Sequence, residues 1–408
     1  MTKLVIVLGL AALLMSLLLS SFLSLEYPLG TYVDLKSRLR DIAFGYSYSV
    51  VSIFDFLGII RKPLFFRRFF SNFHTSALPN EGAESMKIAN VPVTIFKPKA
   101  ASKKLLPGII YVPGGSFILP ANEEHYQFCE MLSKNVTATV FMIQPPVAPE
   151  SPYPAALESV RSVVEHLLRH AEDFGVRPGR IAVGGDDVGA NLATSVAIDL
   201  ANTDPSAAHA PPHNIYALYL VSPVLQAANL ALPSYVMSNK YYRGVQPSEA
   251  LSYYAGVDRP SSKLLRAINN NLHIPFTMKI RFQPLLDFNL MNESFIPDDY
   301  VAPDLALDLS PDVPERVTWL ASQPEAFPLL FENSYLTKLP MTYIQVCEYS
   351  PSRDDGLIFA KRLEKNSGSL KLAVIRQALH DDTVLRSNVF TEASRDLVRF
   401  LRKHLYKV

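Results

Sequence analysis

The stretch that most constrains this chain is IAVGGDDVGANLA, Ile181 to Ala193: a short β-type run (Ile181, Ala182, Val183) enters the turn Gly185-Asp186-Asp187-Val188-Gly189, and a helix of small residues leaves it. A strand feeding directly into a helix is half of a βαβ unit, and such units build parallel sheets with helices on their faces. The rest of the chain keeps the same rhythm. Val93–Phe96, Gly108–Val112, Ala138–Ile143, Tyr216–Val221, Thr342–Cys347 and Leu372–Ile375 have strand length and β-branched or aromatic content. Between them run helical stripes, Ala156, Val160, Val163 and Leu167 in one and Val389, Ala393, Leu397, Leu401 and Leu405 in the last. Continuous apolar strands alternating with amphipathic helices predict an α/β chain with a doubly wound, mostly parallel sheet.

At 408 residues the chain has room for one large domain with an insertion, or for two ordinary ones. Hydrophobic residues make up 49%, charged residues 19%, and the formal net charge is +1, so no bulk field recruits nucleic acid. The 31 prolines are scattered between apolar runs, which suits many loops rather than a disordered tract.

Leu4 to Leu25 is a run of 22 residues without a charge or a proline. At ~1.5 Å per helical residue it spans the ~30 Å hydrocarbon slab. It is longer than a cleaved signal core and lacks an A-x-A-like site, so a single uncleaved signal anchor is expected. Lys3 on one side and Lys36, Arg38 and Arg40 on the other leave its orientation open. Two sequons, at Asn135 and Asn292, are glycosylation acceptors if the body lies in a lumen. There Cys129 and Cys347 either pair or remain two buried thiols. His209 and His213 have helical ligand spacing, but Pro211 and Pro212 between them break a helix, so no metal and no cofactor is expected.

After the anchor (1–25) comes an aromatic segment (26–87) that includes RKPLFFRRFF, where Arg61, Lys62, Arg67 and Arg68 alternate with Phe65, Phe66, Phe69 and Phe70. It reads either as a helical cap on the body or as an interfacial segment with rings in the membrane and charges out. The body spans 88–408. Within it, about 230–336 breaks the strand–helix rhythm and reads as an insertion lying over the strand ends as a lid.

In an open α/β sheet the site lies beyond the carboxyl ends of the strands. Four stretches fall there: IIYVPGGSF (Ile109–Phe117), the turn around Asp187, VCEYSPSRDDG (Val346–Gly356) and ALHDD, which contains His380. Read together, they resemble the arylacetamide deacetylase branch of the hormone-sensitive lipase family of α/β-hydrolases, over most of the chain. That family shows Y-x-H-G-G-G-W, N-Y-R-L-A-P-E, R-I-x-x-x-G-D-S-A-G-G-N-L-A, D-x-L-R-D-D-G and a late G-F-H-G. Here Tyr111-Val112-Pro113-Gly114-Gly115-Ser116-Phe117, Gln144 to Glu150, Arg180 to Ala193, Ser350 to Gly356 and Ala378 to Asp381 follow in the same order.

The resemblance implies an α/β-hydrolase fold with a lid, a body in the endoplasmic reticulum lumen held by a type II anchor, and apolar ester, amide or lipid substrates. Gly114, Gly115 and Val188 take the oxyanion-hole positions. The departures fall on the reagents. Asp187 occupies the nucleophile position, Ser350 the acid position and His380 the base position, while Pro113 and Ser116 alter the oxyanion loop.

A serine esterase needs a hydroxyl, a histidine to deprotonate it and a carboxylate to orient that histidine. With two of these replaced, the expected function is an esterase-type homologue without serine-esterase chemistry, which binds an apolar ester or lipid-like ligand or associates with active relatives. A carboxylate at 187 suits a helix start and is expected to pair with His380. The alternative is an active hydrolase of the epoxide-hydrolase or dehalogenase type with Asp187 as nucleophile and His380 activating water. This needs Glu348, Asp354, Asp381 or Asp382 behind the histidine. A swapped triad, with Ser350 attacking and Asp187 orienting, leaves the oxyanion away from the Gly114–Gly115 donors.

Overall fold

The apolar runs pair into one eight-stranded sheet in the computed structural model, which describes residues 35–73, 83–98, 104–207, 210–242, 244–302, 309–380 and 387–407, with positions 20, 27, 28, 30, 31 and 33. Helices α1 (Leu35–Phe56) and α2 (Lys62–Phe73) precede strands β1 (Ala83–Ile88), β2 (Val91–Phe96) and β3 (Leu106–Val112). Then come α3 (Glu123–Leu132), β4 (Thr139–Ile143), α4 (Ala155–Arg169), β5 (Val176–Asp186), α5 (Asp187–Asn202) and β6 (Ala217–Val221). Short helices fill the next block: α6 (Pro233–Ser238), α7 (Pro247–Tyr254), α8 (Ser262–Asn269), α9 (Phe276–Phe282), α10 (Glu315–Ala321) and α11 (Asn333–Leu336). The chain returns to the sheet with β7 (Met341–Tyr349), α12 (Arg353–Asn366), β8 (Leu370–Leu379) and α13 (Ser387–Leu405).

The strand order is β1-β2-β4-β3-β5-β6-β7-β8. Only β1 and β2 run antiparallel to their neighbours, and every pair from β4 to β8 is parallel. Successive strand side chains point to opposite faces, and the two cores follow that alternation. Ile109, Tyr111, Val140, Met142, Tyr219 and Tyr343 join α3 and α13 on one face. Ile110, Val112, Phe141, Val183, Leu220 and Ile344 join α4, α5 and α12 on the other. The stripe Ala156, Val160, Val163 and Leu167 is buried in the second core.

The body begins before residue 88, because β1 pairs with β2 from Ala83 onward. Its residues AESMKI are mostly exposed, so an edge strand held by backbone bonds shows no apolar alternation. Cys129 and Cys347 are not joined to each other. Cys129 packs from α3 with Tyr111 and Val140, whereas Cys347 lies in β7, three strands from β3.

The Leu4–Leu25 stretch lies, except for Ser20, outside the described residues, and among those described no helix is long and apolar enough to cross a membrane. His209, Asp381 and Asp382 also lie outside them, while His213 sits in an exposed loop.

Candidate active site

β5 ends at Asp186 and α5 starts at Asp187, so the chain turns from strand to helix with no intervening loop. Asp187 takes φ +49°, in the left-handed region that aspartate tolerates better than most side chains. The flanking glycines are required by a close approach: a Cβ at Gly185 would lie 2.2 Å from the Val112 carbonyl oxygen, and one at Gly189 2.1 Å from it. The elbow therefore rests directly on the end of β3. This contact places residue 187 against the loop that continues β3.

That loop is built to bind an anion. Gly115, Ser116 and Phe117 have φ of +122°, +52° and +63°, and successive turns of this kind gather backbone N–H groups into a concave nest. Gly115 N and Ser116 N donate to Asp187 Oδ2 at 3.1 and 2.9 Å. The donor pair is thus one residue later than the expected Gly114 and Gly115. Gly114 N instead donates to Asp186 Oδ1 at 3.0 Å, since its Cα packs against that carboxylate. Val188 lies in the first turn of α5, where N–H groups have no helical partner, and lines the cavity beside Asp187.

Asp186 braces the elbow from beneath. It accepts Tyr111 Oη–H at 2.5 Å, and His125 Nε2 stands 3.5 Å from its other oxygen. Burial alone would raise its pKa, but His125, Tyr111 and the Gly114 N–H together hold the carboxyl below the ordinary value. His125 is oriented by the cap of α3, where Asn122 N donates to Nδ1 and leaves Nε2 to carry a proton toward Asp186. Neither His125 nor Asp186 stood out as a site residue in the sequence. The one available signal was the capping pair at Asn122 and His125, three residues apart.

β7 and β8 are neighbours, so Ser350 and His380, which follow their ends, meet. Ser350 Oγ lies 2.7 Å from His380 Nδ1, and His380 Nε2 lies 3.8 Å from Asp187 Oδ1. Ser350 is 1% exposed, and its oxygen also accepts Ser352 N at 3.2 Å. Glu348 and Asp354 are engaged elsewhere. Glu348 receives Arg376 and the Gln377 N–H, and buried Asp354 receives Arg353 and the Ser234 N–H. The three expected site residues are thus brought together as Asp187, His380 and Ser350, with carboxylate and hydroxyl at each other's usual ends.

Beside Asp187 and His380 lies an apolar cavity of about 40 Å³, lined among others by Phe117, Val188, Leu230, Tyr235 and Tyr242. Phe117 stacks on Tyr254 at 3.7 Å. The wall after β6 is pinned by Asp355, which accepts Leu225 N, Gln226 Nε2 and Tyr235 Oη–H. Burial pushes that carboxyl up to about 7.

A parallel sheet carrying a strand–elbow–helix turn, a nest of donors facing it and a histidine after the last strand defines the α/β-hydrolase class, and residues 109–278 match the family model for the alpha/beta hydrolase fold. The chain is 30% identical over 292 residues to the arylacetamide deacetylase of Rattus norvegicus, an alignment covering 68% of this chain and 69% of that one. To the arylacetamide deacetylase-like 2 protein of Homo sapiens it is 27% identical over 384 residues, covering 91% and 92%. It shares the fold of a solved Pyrobaculum calidifontis esterase, with a TM-score of 0.59 and 18% identity across 87% of this chain and 97% of that one. This chain belongs to the arylacetamide deacetylase branch of the hormone-sensitive lipase family, a carboxylesterase-type group of α/β-hydrolases.

Proposed function

We propose that this chain is a membrane-held family member that binds an apolar ester or lipid-like ligand without turning it over as a serine esterase. One observation carries the reading: the Asp187 carboxylate accepts the N–H groups of Gly115 and Ser116. In an esterase such donors meet an oxyanion only in the transition state. Here a side-chain carboxylate occupies them, and a second negative charge beside it meets repulsion instead of stabilisation. The Ser350 hydroxyl, at the family's acid position, is buried and bonded to the imidazole on the side away from those donors.

The cavity of about 40 Å³ holds little more than two or three waters. The proposal includes the 230–336 block as a lid that opens to admit an acyl chain. The proposal includes the Leu4–Leu25 span as a type II anchor of the endoplasmic reticulum, with the body in the lumen. Exposed Asn135 and Asn292 suit glycosylation there. Association with active relatives is the competing role, and co-purification without saturable ligand uptake would favour it.

The test is the paired reversion Asp187→Ser with Ser350→Asp, assayed on a short-chain aryl ester beside the native chain and a fluorophosphonate probe. Activity and labelling only in the revertant support the proposal. Turnover with labelling in the native chain overturns it.

A second reading is favoured by the way Asp187 divides its oxygens: Oδ2 is held by the loop while Oδ1 faces His380. A carboxylate so held can attack an epoxide or alkyl halide, with His380 activating water for hydrolysis of the resulting ester. Against it, among the described residues the group at His380 Nδ1 is a hydroxyl, which cannot balance an imidazolium charge. The His380→Gln variant would trap an ester on Asp187, visible by mass spectrometry, if this reading were correct.

A further inference from the structure

The α1–α2 hairpin has two unlike surfaces. One face is packed into the body. Phe44 and Phe66 stack at 5.4 Å, Lys62 lies over the Tyr48 ring, and its ammonium pairs with buried Glu249 at 2.8 Å. Arg67 donates to the carbonyls of Ile118 and Ala148 and to Glu150. The hairpin is thereby tied to the loop that carries Gly115 and Ser116, and through Glu249 to α7, whose Ala250 and Leu251 line the cavity.

The tip points the other way. Ile53 is 61% exposed, Phe56 88%, Leu57 59% and Ile59 64%, with Ile60 and Leu64 also exposed. A contiguous cluster of large apolar side chains held in water is unusual on a soluble surface and marks an interaction site. Within it the Asp55 carboxylate accepts the Lys62 N–H, and two guanidinium groups flank it. Arg61 is half exposed beside Asp258, and Arg259 reaches the Gly58 carbonyl at the turn.

We propose that this tip, Ile53 to Leu64, is seated in the surface of a lipid bilayer, rings and aliphatic side chains among the acyl chains and Arg61 and Arg259 at the phosphate level. Apolar side chains with adjacent cations are the chemistry of interfacial insertion. Chain geometry puts a bilayer within reach: nine residues separate Leu25 from Leu35, a span of at most ~36 Å, and α1 carries the chain a further ~33 Å to Phe56, so the tip can meet the membrane that the proposed span crosses. Seating there sets the cavity wall and the Gly115–Ser116 loop one helix away from the lipid. The tip's seating rests on the proposed anchor but is read out separately from it.

The test uses the full-length chain in phosphatidylcholine vesicles, with Phe56→Trp in a Trp319→Phe background so that residue 56 holds the only tryptophan. Tyr335→Trp in the same background is the control, since Tyr335 lies next to Asn202 at the far end of α5. The expected result is blue-shifted emission at residue 56, quenched about twofold or more by lipid brominated near the headgroup end of its acyl chains, with residue 335 unaffected. Equal, water-like emission at both sites overturns the proposal. So does a blue shift that follows protein density in the vesicle without bromine quenching, the signature of a second copy. Alkaline extraction reports the Leu4–Leu25 span alone, so failure of the anchor and failure of the tip give different results.

Discussion

Ser350 Oγ lies 2.7 Å from Nδ1 of His380, the nitrogen that a catalytic histidine turns toward its carboxylate. A hydroxyl there fixes the ring without supplying the negative charge that makes it an effective base. Among the described residues, the carboxylate facing the ring lies instead on the Nε2 side, 3.8 Å away on Asp187. Carboxylate and hydroxyl have thus exchanged ends about the imidazole.

If Ser350 only positions the ring, Ser350→Ala removes bonds to His380 and to the Ser352 N–H without changing reactivity. The expected cost is about 1–2 kcal/mol in denaturant unfolding, with fluorophosphonate labelling the same before and after. A native chain labelled at Ser350, with labelling lost in the variant, would revive the swapped triad.

Asp187→Asn retains the side-chain shape and removes the charge that draws in Gly115 and Ser116. Charge-assisted bonds are worth roughly twice neutral ones, so amide exchange in the Val112–Leu119 segment should accelerate about tenfold, equivalent to ~1.4 kcal/mol. Hydrogen-exchange mass spectrometry measures this directly, and unchanged protection would mean that the carboxylate does not hold the loop.

Gly189→Ala and Gly175→Ala separate crowding from backbone strain. At Gly189 the new methyl would meet the Val112 carbonyl at 2.1 Å, while at Gly175, with φ +71°, it would meet nothing within 4 Å. The second substitution should cost ~1–2 kcal/mol. The first has to separate the elbow from β3, and a loss above about 3 kcal/mol or no folded yield is expected. Similar unfolding midpoints for the two variants would contradict this account of the elbow.

His273 supplies a pH dependence. Its Nε2–H donates to the Ala227 carbonyl at 2.7 Å, and burial lowers its pKa from 6.5 to about 4. Between those values the unfolded chain binds more protons than the folded one, so stability is full above pH 6.5 and falls as the pH drops toward 4. The loss is on the order of 3 kcal/mol at most. Urea midpoints at roughly pH 7 and pH 4.5 should differ less in His273→Gln than in the native chain; identical shifts would assign the effect to other groups.

Much of the architecture was legible because burial leaves a periodic mark. IIYV in β3 and TVFMI in β4 send alternate residues to two separate cores, and their apolar runs announced a sheet covered on both sides. β1 left no such mark. AESMKI is exposed at the sheet edge, and the backbone bonds that hold it belong to every residue type. The replaced residues Asp187 and Ser350 were also visible, because a motif records side-chain identity.

Their partners were not. Gly115 and Ser116, rather than Gly114, hold the carboxylate only because Asp186 reaches Gly114 first, across a sequence separation of 72. Asp186 is in turn supported by His125, from a helix that leaves a different strand. His380 meets Ser350 because β8 lies beside β7.

Read alone, the amino acids settle which positions are buried, where strand passes to helix and which reagents are missing from the family pattern, since each of these is written within a few consecutive residues. Which donor faces which acceptor was left to the assembled sheet. Periodicity carries a residue's burial but not its strand's place in the order 4-3-5-6-7-8, and that order sets every distance around Asp187.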